Sequence, residues 1–470
     1  MTFLARDKKG QLMTRTPVET AFALWQLPQR HTLSHDLPVL ADVDVVVVGA
    51  GPAGVAAATV ASEAGLSVIV VEGYGFAGGS AVAGLSATIC GLYLASETHA
   101  PPVQVVHGFA ERFRAALKAR SGVTSPQRYG LTYTVAHDPL VWREVADSLL
   151  FNSGVRVMFH TQVTGVILDA DRYAGVVIHS KAGLSAIHAR RVIDASGDAA
   201  VVARGGGQYF FGDEGRIQNP TMFFRLGGVD TDAFWEEWGD DTISPPTITA
   251  AIASQREAGA DLPREKIWVF RSTRPGELLV NATRLSDSDG RMLNVVDPED
   301  FTIAEMLGRK QVRAYAQFFS ATVAGCRNAY VVDTGVEAGI RQTRSIVGVE
   351  TLSNEHVVEC RKSEDGIVRS PWPIELHSGN RPKLHWLLDD YYEVPYNTLV
   401  PAVGENIIVA GRCLSAEHEA LASARVTAQC FELGHAAAVA TVLSLTTDTG
   451  YRDLEGSQVR AVMAANGSSL

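Results

Sequence analysis

Apolar and polar positions alternate with several different periods along the chain. Val43–Val48 is β-branched apart from Asp44 and ends on glycine, the pattern of a strand buried on both faces. Pro52–Ala64 is alanine-rich with Gly65 just beyond it, which predicts a helix closed by a glycine stop. Ser67–Glu72 repeats the buried-strand pattern, so the three segments form one strand–helix–strand unit. Asp138–Pro139 opens a helix running through Trp142 and Leu149, with proline in its first turn. Val155–Phe159, Val163–Ala170 and Ala174–Ser180 read as strands of a small antiparallel meander, followed by a short buried strand at Val192–Ala195. Between Gly205 and Glu393 the character is mixed, with strands predicted at Thr221–Leu226 and Leu278–Thr283 and a helix over Glu305–Ala324. Asn406–Ala410 is again an apolar strand ending at glycine, and Ser423–Leu443 is predicted as one long alanine-rich helix.

The C-terminal segments thus return to the chemistry of the first strand–helix–strand unit, which predicts a discontinuous first domain interrupted by an insertion. The expected division is an N-terminal arm over 1–40, the first domain over 41–205 and 395–452, an inserted substrate or cap domain over 206–394, and a frayed tail over 453–470. Over 470 residues, 46% hydrophobic and 20% charged content excludes a disordered chain and a multi-pass membrane protein. A net charge of −11 disfavours nucleic acid and anionic membranes as partners. Cys90, Cys326, Cys360, Cys413 and Cys430 are scattered with no C-x-x-C pair, so neither a zinc site nor a disulfide framework is expected, and the setting reads as reducing and cytoplasmic.

Candidate chemistry centres on Gly49-Ala50-Gly51-Pro52-Ala53-Gly54, a G-x-G-x-x-G that leaves a buried strand and opens a helix. The first glycine permits the turn, the second lets backbone approach a pyrophosphate, and the third lets helix and strand pack closely. Glu72, at the end of the next strand, is placed to accept hydrogen bonds from a ribose. A second glycine-rich segment, Gly75–Gly84, contains Gly78, Gly79 and Ser80. The first fingerprint alone does not choose FAD over NAD.

Four separated motifs add to it. Val192-Ile193-Asp194-Ala195-Ser196-Gly197-Asp198, Glu393-Val394-Pro395-Tyr396 with Leu399-Val400-Pro401, Asn406 through Ser415, and His418-Glu419-Ala420-Leu421 leading to Arg425 and Gly434 follow in order. Together they resemble the FAD-dependent oxidoreductase family related to fumarate reductase and glutathione reductase flavoproteins. The resemblance implies an α/β fold: a Rossmann-like FAD-binding domain with a central parallel sheet and small antiparallel meander, plus an inserted α+β substrate domain. It implies FAD, bound noncovalently or covalently, with Val163 near the adenine, Ala195, Gly197 and Asp198 in the middle turn, and Gly411 and Arg412 near the ribityl chain or flavin. The positive end of the helix from Ser423, capped by Ser423 and carrying Arg425 in its first turn, would face the flavin. Departures are Gly73, where a basic residue is common, and Arg412, where many glutathione reductase relatives have an acid. Arg412 is read as bound to cofactor or substrate, or as a surface salt bridge.

No second dinucleotide fold and no close cysteine pair is visible. The expectation is therefore dehydrogenation of a small organic molecule by hydride transfer to flavin N5, with oxygen or an unknown protein accepting the electrons. Two alternatives stay open: a flavin-dependent monooxygenase or halogenase using an external reductant, and a non-catalytic flavin-binding subunit or sensor. His418 leads the candidate bases and His377 follows, each also readable as a core histidine. Tyr396 could exchange a proton or simply pack. Arg341 and Arg344 match an arginine pair of the family and suggest an anion, a substrate carboxylate or flavin phosphate, or else structural salt bridges. The aromatics Tyr209, Phe210, Phe211, Phe223, Phe224, Trp268 and Trp386 suit a ring-bearing ligand or a core. A small-molecule substrate is expected, and a homodimer is left open.

Overall fold

The computed structural model describes residues 36–98, 101–287, 289–377 and 383–470, so most of the expected N-terminal arm lies outside the described residues. The first sheet contains β1 (Val39–Val48), β2 (Val68–Val71), β3 (Arg156–Met158), β4 (Gln162–Asp169), β5 (Arg172–Ser180) and β6 (Gly183–Asp194), with Ile407–Val409 returning to it from near the C-terminus. Their order is β3-β2-β1-β6-β5-β4, and Ile407–Val409 pairs with the C-terminal part of β6. β3, β2, β1, β6 and Ile407–Val409 pair in parallel, while β4 and β5 continue from β6 in antiparallel fashion. Val45, Val46 and Val47 are fully buried, as expected for a strand covered on both faces.

Two expectations need correction here. Val155–Phe159 does not belong to the meander: Arg156–Met158 is the edge of the parallel sheet beside β2. Val192–Ala195 is not a separate strand but the end of a single 12-residue strand, β6. The first half of β6 pairs with β5 and its second half with Ile407–Val409. One long strand therefore joins meander to parallel core.

The register has a functional consequence. Val48 pairs with Val71 and with Asp194, and Asp194 pairs with Val409, so four parallel strands end level with one another. Ligands of open α/β sheets bind at this carboxyl edge. Helix α1 (Pro52–Glu63) leaves it immediately after β1, and α2 (Pro139–Asn152) is capped by Asp138, whose carboxylate accepts from Leu140 N and Val141 N.

The second sheet is antiparallel, with β7 (Phe224–Gly227), β8 (Trp268–Arg271), β9 (Leu278–Asn281) and β10 (Tyr330–Thr334) in the order β8-β9-β7-β10. Period-two alternation divides its faces. Phe224, Leu226, Val269, Leu278 and Val280 pack into a core with α3 (Thr231–Trp238), α4 (Pro246–Glu257) and α5 (Pro298–Thr322). Trp268, Phe270 and Leu279, joined by Phe223 just before β7, form a second cluster with Tyr129 and Trp372. That second face looks toward the carboxyl edge of the first sheet.

The predicted C-terminal helix is two helices, α6 (His418–Ala424) and α7 (Thr427–Thr447), with Arg425 and Val426 between them. Helix α7 is long and apolar enough to cross a membrane by length and composition, and 72% of that stretch is buried inside the fold. It packs on α1 through Gly434, where a Cβ would fall 2.1 Å from Ala53 O. The tail is not frayed: α8 (Gly456–Ala465) buries Val459 and Met463, and Arg460 Nη1 lies 3.0 Å from the buried Glu393 carboxylate.

Candidate functional site

One cavity of about 490 Å³ runs from the carboxyl edge of the first sheet to the inner face of the second. Its outer end is built from the glycine turn. Gly49 has φ +95°, and a Cβ there would meet Ala195 O at 2.6 Å, so only glycine makes this turn against the next strand. Gly51 and Gly79 face each other across the cleft: a Cβ on Gly79 would lie 2.9 Å from Gly51 Cα. Any side chain at that point narrows the passage a dinucleotide phosphate chain needs. Gly51 precedes α1 with no side-chain cap and no acid in the first turn, leaving the helix's first N–H groups for an anion.

Glu72 is 7% exposed and accepts from Ala50 N at 2.7 Å and Tyr74 N at 2.9 Å. Burial raises its pKa against these amide bonds. Asp194 is fully buried and accepts from Ser196 N and Oγ and from Val201 N, which fixes the Ser196–Asp198 turn at the cavity wall. Arg412 Nη2 donates to Asp198 Oδ1 at 2.9 Å and Nη1 to Thr343 Oγ1 at 3.3 Å. Glu337, also on the wall, accepts from Tyr74 OH, and burial raises its carboxyl to about 7.

Of the residues expected to hold a cofactor, Gly49, Gly51, Pro52, Ala53, Glu72, Gly79, Ser80, Val163, Ala195, Gly197, Asp198, Gly411, Arg412 and Arg425 line the cavity. Gly54 and Gly78 do not. Gly54 is a packing glycine, since a Cβ would fall 1.9 Å from Gly49 O, and Gly78 N donates to Ala50 O at 2.8 Å, tying the two glycine segments together. The capping role expected of Ser423 is overturned: its hydroxyl donates to Trp372 O, and the helix reaching the cavity starts at Thr427. Arg425 lies in the link before that helix, not in its first turn.

The inner end joins elements far apart in sequence. Glu375, on the short strand Ile374–Leu376, accepts from Tyr129 OH at 2.6 Å. His377 follows two residues on, with Nε2 3.6 Å from Glu375 Oε1 and Nδ1 accepting from Arg264 Nη2 at 3.3 Å. Burial and the neighbouring Arg341 lower His377 to about 3, so it is neutral near pH 7. Burial alone would raise Glu375, but its contacts with His377 and Tyr129, together with Arg425, hold it below the usual carboxylate range. Arg341, Cys90, Trp372, Phe223 and Phe270 complete this end.

Three expected chemical groups lie elsewhere. Tyr396 is fully buried and donates to Tyr451 O at 2.9 Å, away from the cavity. Arg344 does not line the cavity; it donates to Asp198 O and stacks over Tyr209 at 5.2 Å, so it and Arg341 are not a clamp. His418 also lies off the wall, bonded through Nδ1 to Gln342 Oε1 at 2.8 Å, with burial lowering its pKa. Of the aromatics singled out, Phe223 lines the cavity, while Trp268 lies behind the wall in contact with Tyr129. Glu375 was missed as a chemical group, although the alternation Ile374-Glu375-Leu376-His377 puts its carboxylate on the same strand face as His377.

Comparison with known proteins gives four findings. A family model described as FAD dependent oxidoreductase matches residues 44–463. Thiamine thiazole synthase of Aeropyrum pernix is 31% identical over 172 residues, 34% of this chain and 57% of that protein. The enzyme of the same name from Pyrobaculum aerophilum is 32% identical over 189 residues, 37% of this chain and 65% of that protein. The chain thus spans less than two thirds of these relatives' length. A geranylgeranyl bacteriochlorophyll reductase-like protein from Thermoplasma acidophilum aligns over 90% of this chain and 83% of its own, at 14% identity and a TM-score of 0.45.

Proposed function

The chain belongs to the FAD dependent oxidoreductase family and FAD is its cofactor, and on that footing we propose that it dehydrogenates a small organic molecule at the inner end of the cavity. Oxygen or another acceptor then takes the electrons. The observation that carries this reading is continuity: a single cavity joins the glycine cleft to a wall of aromatic rings with an ionised carboxylate.

When bound, FAD supplies the two-electron redox chemistry. Gly49, Gly51, Pro52 and Ala53 would hold its phosphates, Glu72 and Val163 its adenosine, and Gly411, Arg412 and Thr427 the portion nearer the inner end. The chain's own contribution to the reaction is orientation and proton handling. Glu375 Oε1 is taken by Tyr129, whereas Oε2 has no hydrogen-bond partner among the described residues, and the residue lines the cavity. Glu375 is therefore the group available to accept a substrate proton. Neutral His377 holds that carboxylate from one side while Arg264 fixes the ring through Nδ1. Trp372, Phe223 and Phe270 exclude water around it.

The test is anaerobic mixing of the FAD-loaded protein with a panel of small molecules while the visible flavin band is followed. Bleaching by an organic substrate without nicotinamide is expected. Bleaching that needs NAD(P)H would transfer the protein to the monooxygenase or halogenase class, and bleaching only through a partner protein would make it a flavin-binding subunit.

A further inference from the structure

Charge at the inner end of the cavity does not balance. Arg341 is 7% exposed, its Nη1 donates to Asn219 O at 2.8 Å, and no other hydrogen bond or carboxylate engages it among the described residues. Arg264 is 3% exposed and spends its donors on Asn281 Oδ1 and His377 Nδ1, both at 3.3 Å, with its plane 4.5 Å over Trp268. Arg425 donates Nη2 to Gln218 Oε1 at 2.9 Å, and its Nε is buried without a partner among the described residues. Neutral oxygens and nitrogens satisfy geometry but not charge. Against these three guanidinium groups stands Glu375 alone among the described residues, because Asp198 is paired with Arg412 and His377 is neutral.

Buried guanidinium groups are costly unless a counter-charge meets them, and Arg carries five N–H donors in a fork that matches a carboxylate. Arg341 reaches the cavity with most of that fork unused. Beside it the wall is aromatic, with Trp372, Tyr129, Phe223 and Phe270 in one cluster. We propose that this end of the cavity binds an aromatic carboxylate, its carboxyl group on Arg341 and Arg425 and its ring against Trp372, Phe223 and Phe270. The proposal deepens the dehydrogenase reading and rests on it for calling this ligand the substrate. It adds a mechanistic link, since an anion on Arg341 and Arg425 removes part of the positive potential acting on Glu375 and makes that carboxylate a better proton acceptor.

The experiment titrates the FAD-loaded protein with benzoate, with neutral benzamide and with ringless acetate, reading heat and the perturbation of the flavin spectrum. Benzoate is expected to bind at least about 30-fold more tightly than benzamide, and Arg341→Gln to weaken it by about 30-fold or more while keeping one FAD per chain. Arg341→Lys should recover part of the loss, because it restores the charge without the fork. Equal binding of benzoate and benzamide, or unchanged benzoate binding in Arg341→Gln, overturns the proposal. So does acetate binding as tightly as benzoate, which removes the ring. Loss of FAD from a folded Arg341→Gln protein overturns it too, by giving the arginine to the cofactor's phosphates. If the variant does not fold, the benzoate and benzamide comparison on the native chain decides alone. Benzoate binding without any anaerobic bleaching by carboxylates would remove the dehydrogenase reading and leave this site standing; bleaching by neutral compounds without benzoate binding would do the reverse.

Discussion

Glu375 combines two properties that rarely meet: it is a buried carboxylate, and it stays ionised. Its contacts with Tyr129 and the His377 ring, together with Arg425, hold it below the usual carboxylate range against the cost of burial. Glu375→Gln keeps the shape and the acceptor for Tyr129 but removes the proton acceptor. Flavin reduction by substrate should slow by about 100-fold or more with FAD content unchanged, measured by anaerobic stopped flow. Glu337 has the opposite balance, raised by burial from 4.5 to about 7, with Asp198 and Glu305 adding repulsion and Tyr74 and Arg412 opposing it. Its folded value lies above its unfolded value, so its favourable contribution is complete below the lower one and is lost as pH rises through the upper one. Urea melts of the FAD-free protein at about pH 5 and about pH 8 should show Glu337→Gln losing about 1 to 2 kcal/mol less than the native chain over that rise. Such side chains divide by how readily their surroundings are read from sequence. The position of Glu72, Gly49 and Gly51 at the cavity was legible because spacing from a strand end fixes where each lies. Tyr396 and His418 were not, because nearness along the chain to a flavin motif does not determine which way a side chain turns. The hydroxyl of Tyr396 is committed to Tyr451 O and the ring of His418 to Gln342.

The elements that frame the cavity depend on small residues at their crossings. Helices α1 and α7 approach so closely that Gly434 meets Ala53 backbone, and Ala53 also lines the cavity. Gly434→Ala should therefore destabilise the protein by about 2 kcal/mol or more and weaken FAD binding, seen as a lower melting temperature and a lower flavin content per chain. Period and composition made α1, β1, β2 and the strand at Ile407–Val409 readable, since each is a largely apolar run with a glycine one or two residues beyond it. The break between α6 and α7 escaped the same reading. Ser423 through Thr427 carries no glycine or proline, and the interruption is made by tertiary contacts: the Ser423 hydroxyl donates to Trp372 O, and Thr427 Oγ1 donates to Thr88 O. Those contacts turn the chain so that Arg425 enters the inner end and Thr427 starts a new helix at the wall. The meander was misjudged for a related reason. β3 is only three residues long, and its parallel partner β2 is remote in sequence, so only the assembled sheet decides its pairing.

At the level of the molecule, Val39–Val48 and Ile407–Val409, far apart in sequence, belong to one sheet, and the stretch of chain between them supplies the second wall. The aligned ends of β1, β2, β6 and Ile407–Val409 create the cleft, and the inner face of β7, β8 and β9 turns aromatic rings toward it. The glycine-rich motifs foretold the cleft, because they report directly on close backbone approach. Of the inner wall, the sequence singled out Arg341, His377 and Arg425 one by one but not Tyr129, Arg264 or Glu375, and not that they meet, since they come from separate stretches of chain that only long-range folding brings together. A crystal structure of the FAD-loaded protein examines this arrangement most directly. Continuous density for FAD from Glu72 through the Gly51–Gly79 cleft, ending against the wall of Tyr129, Glu375 and Arg341, is the expected result. FAD bound outside that cavity, or with its ring turned away from this wall, would contradict it.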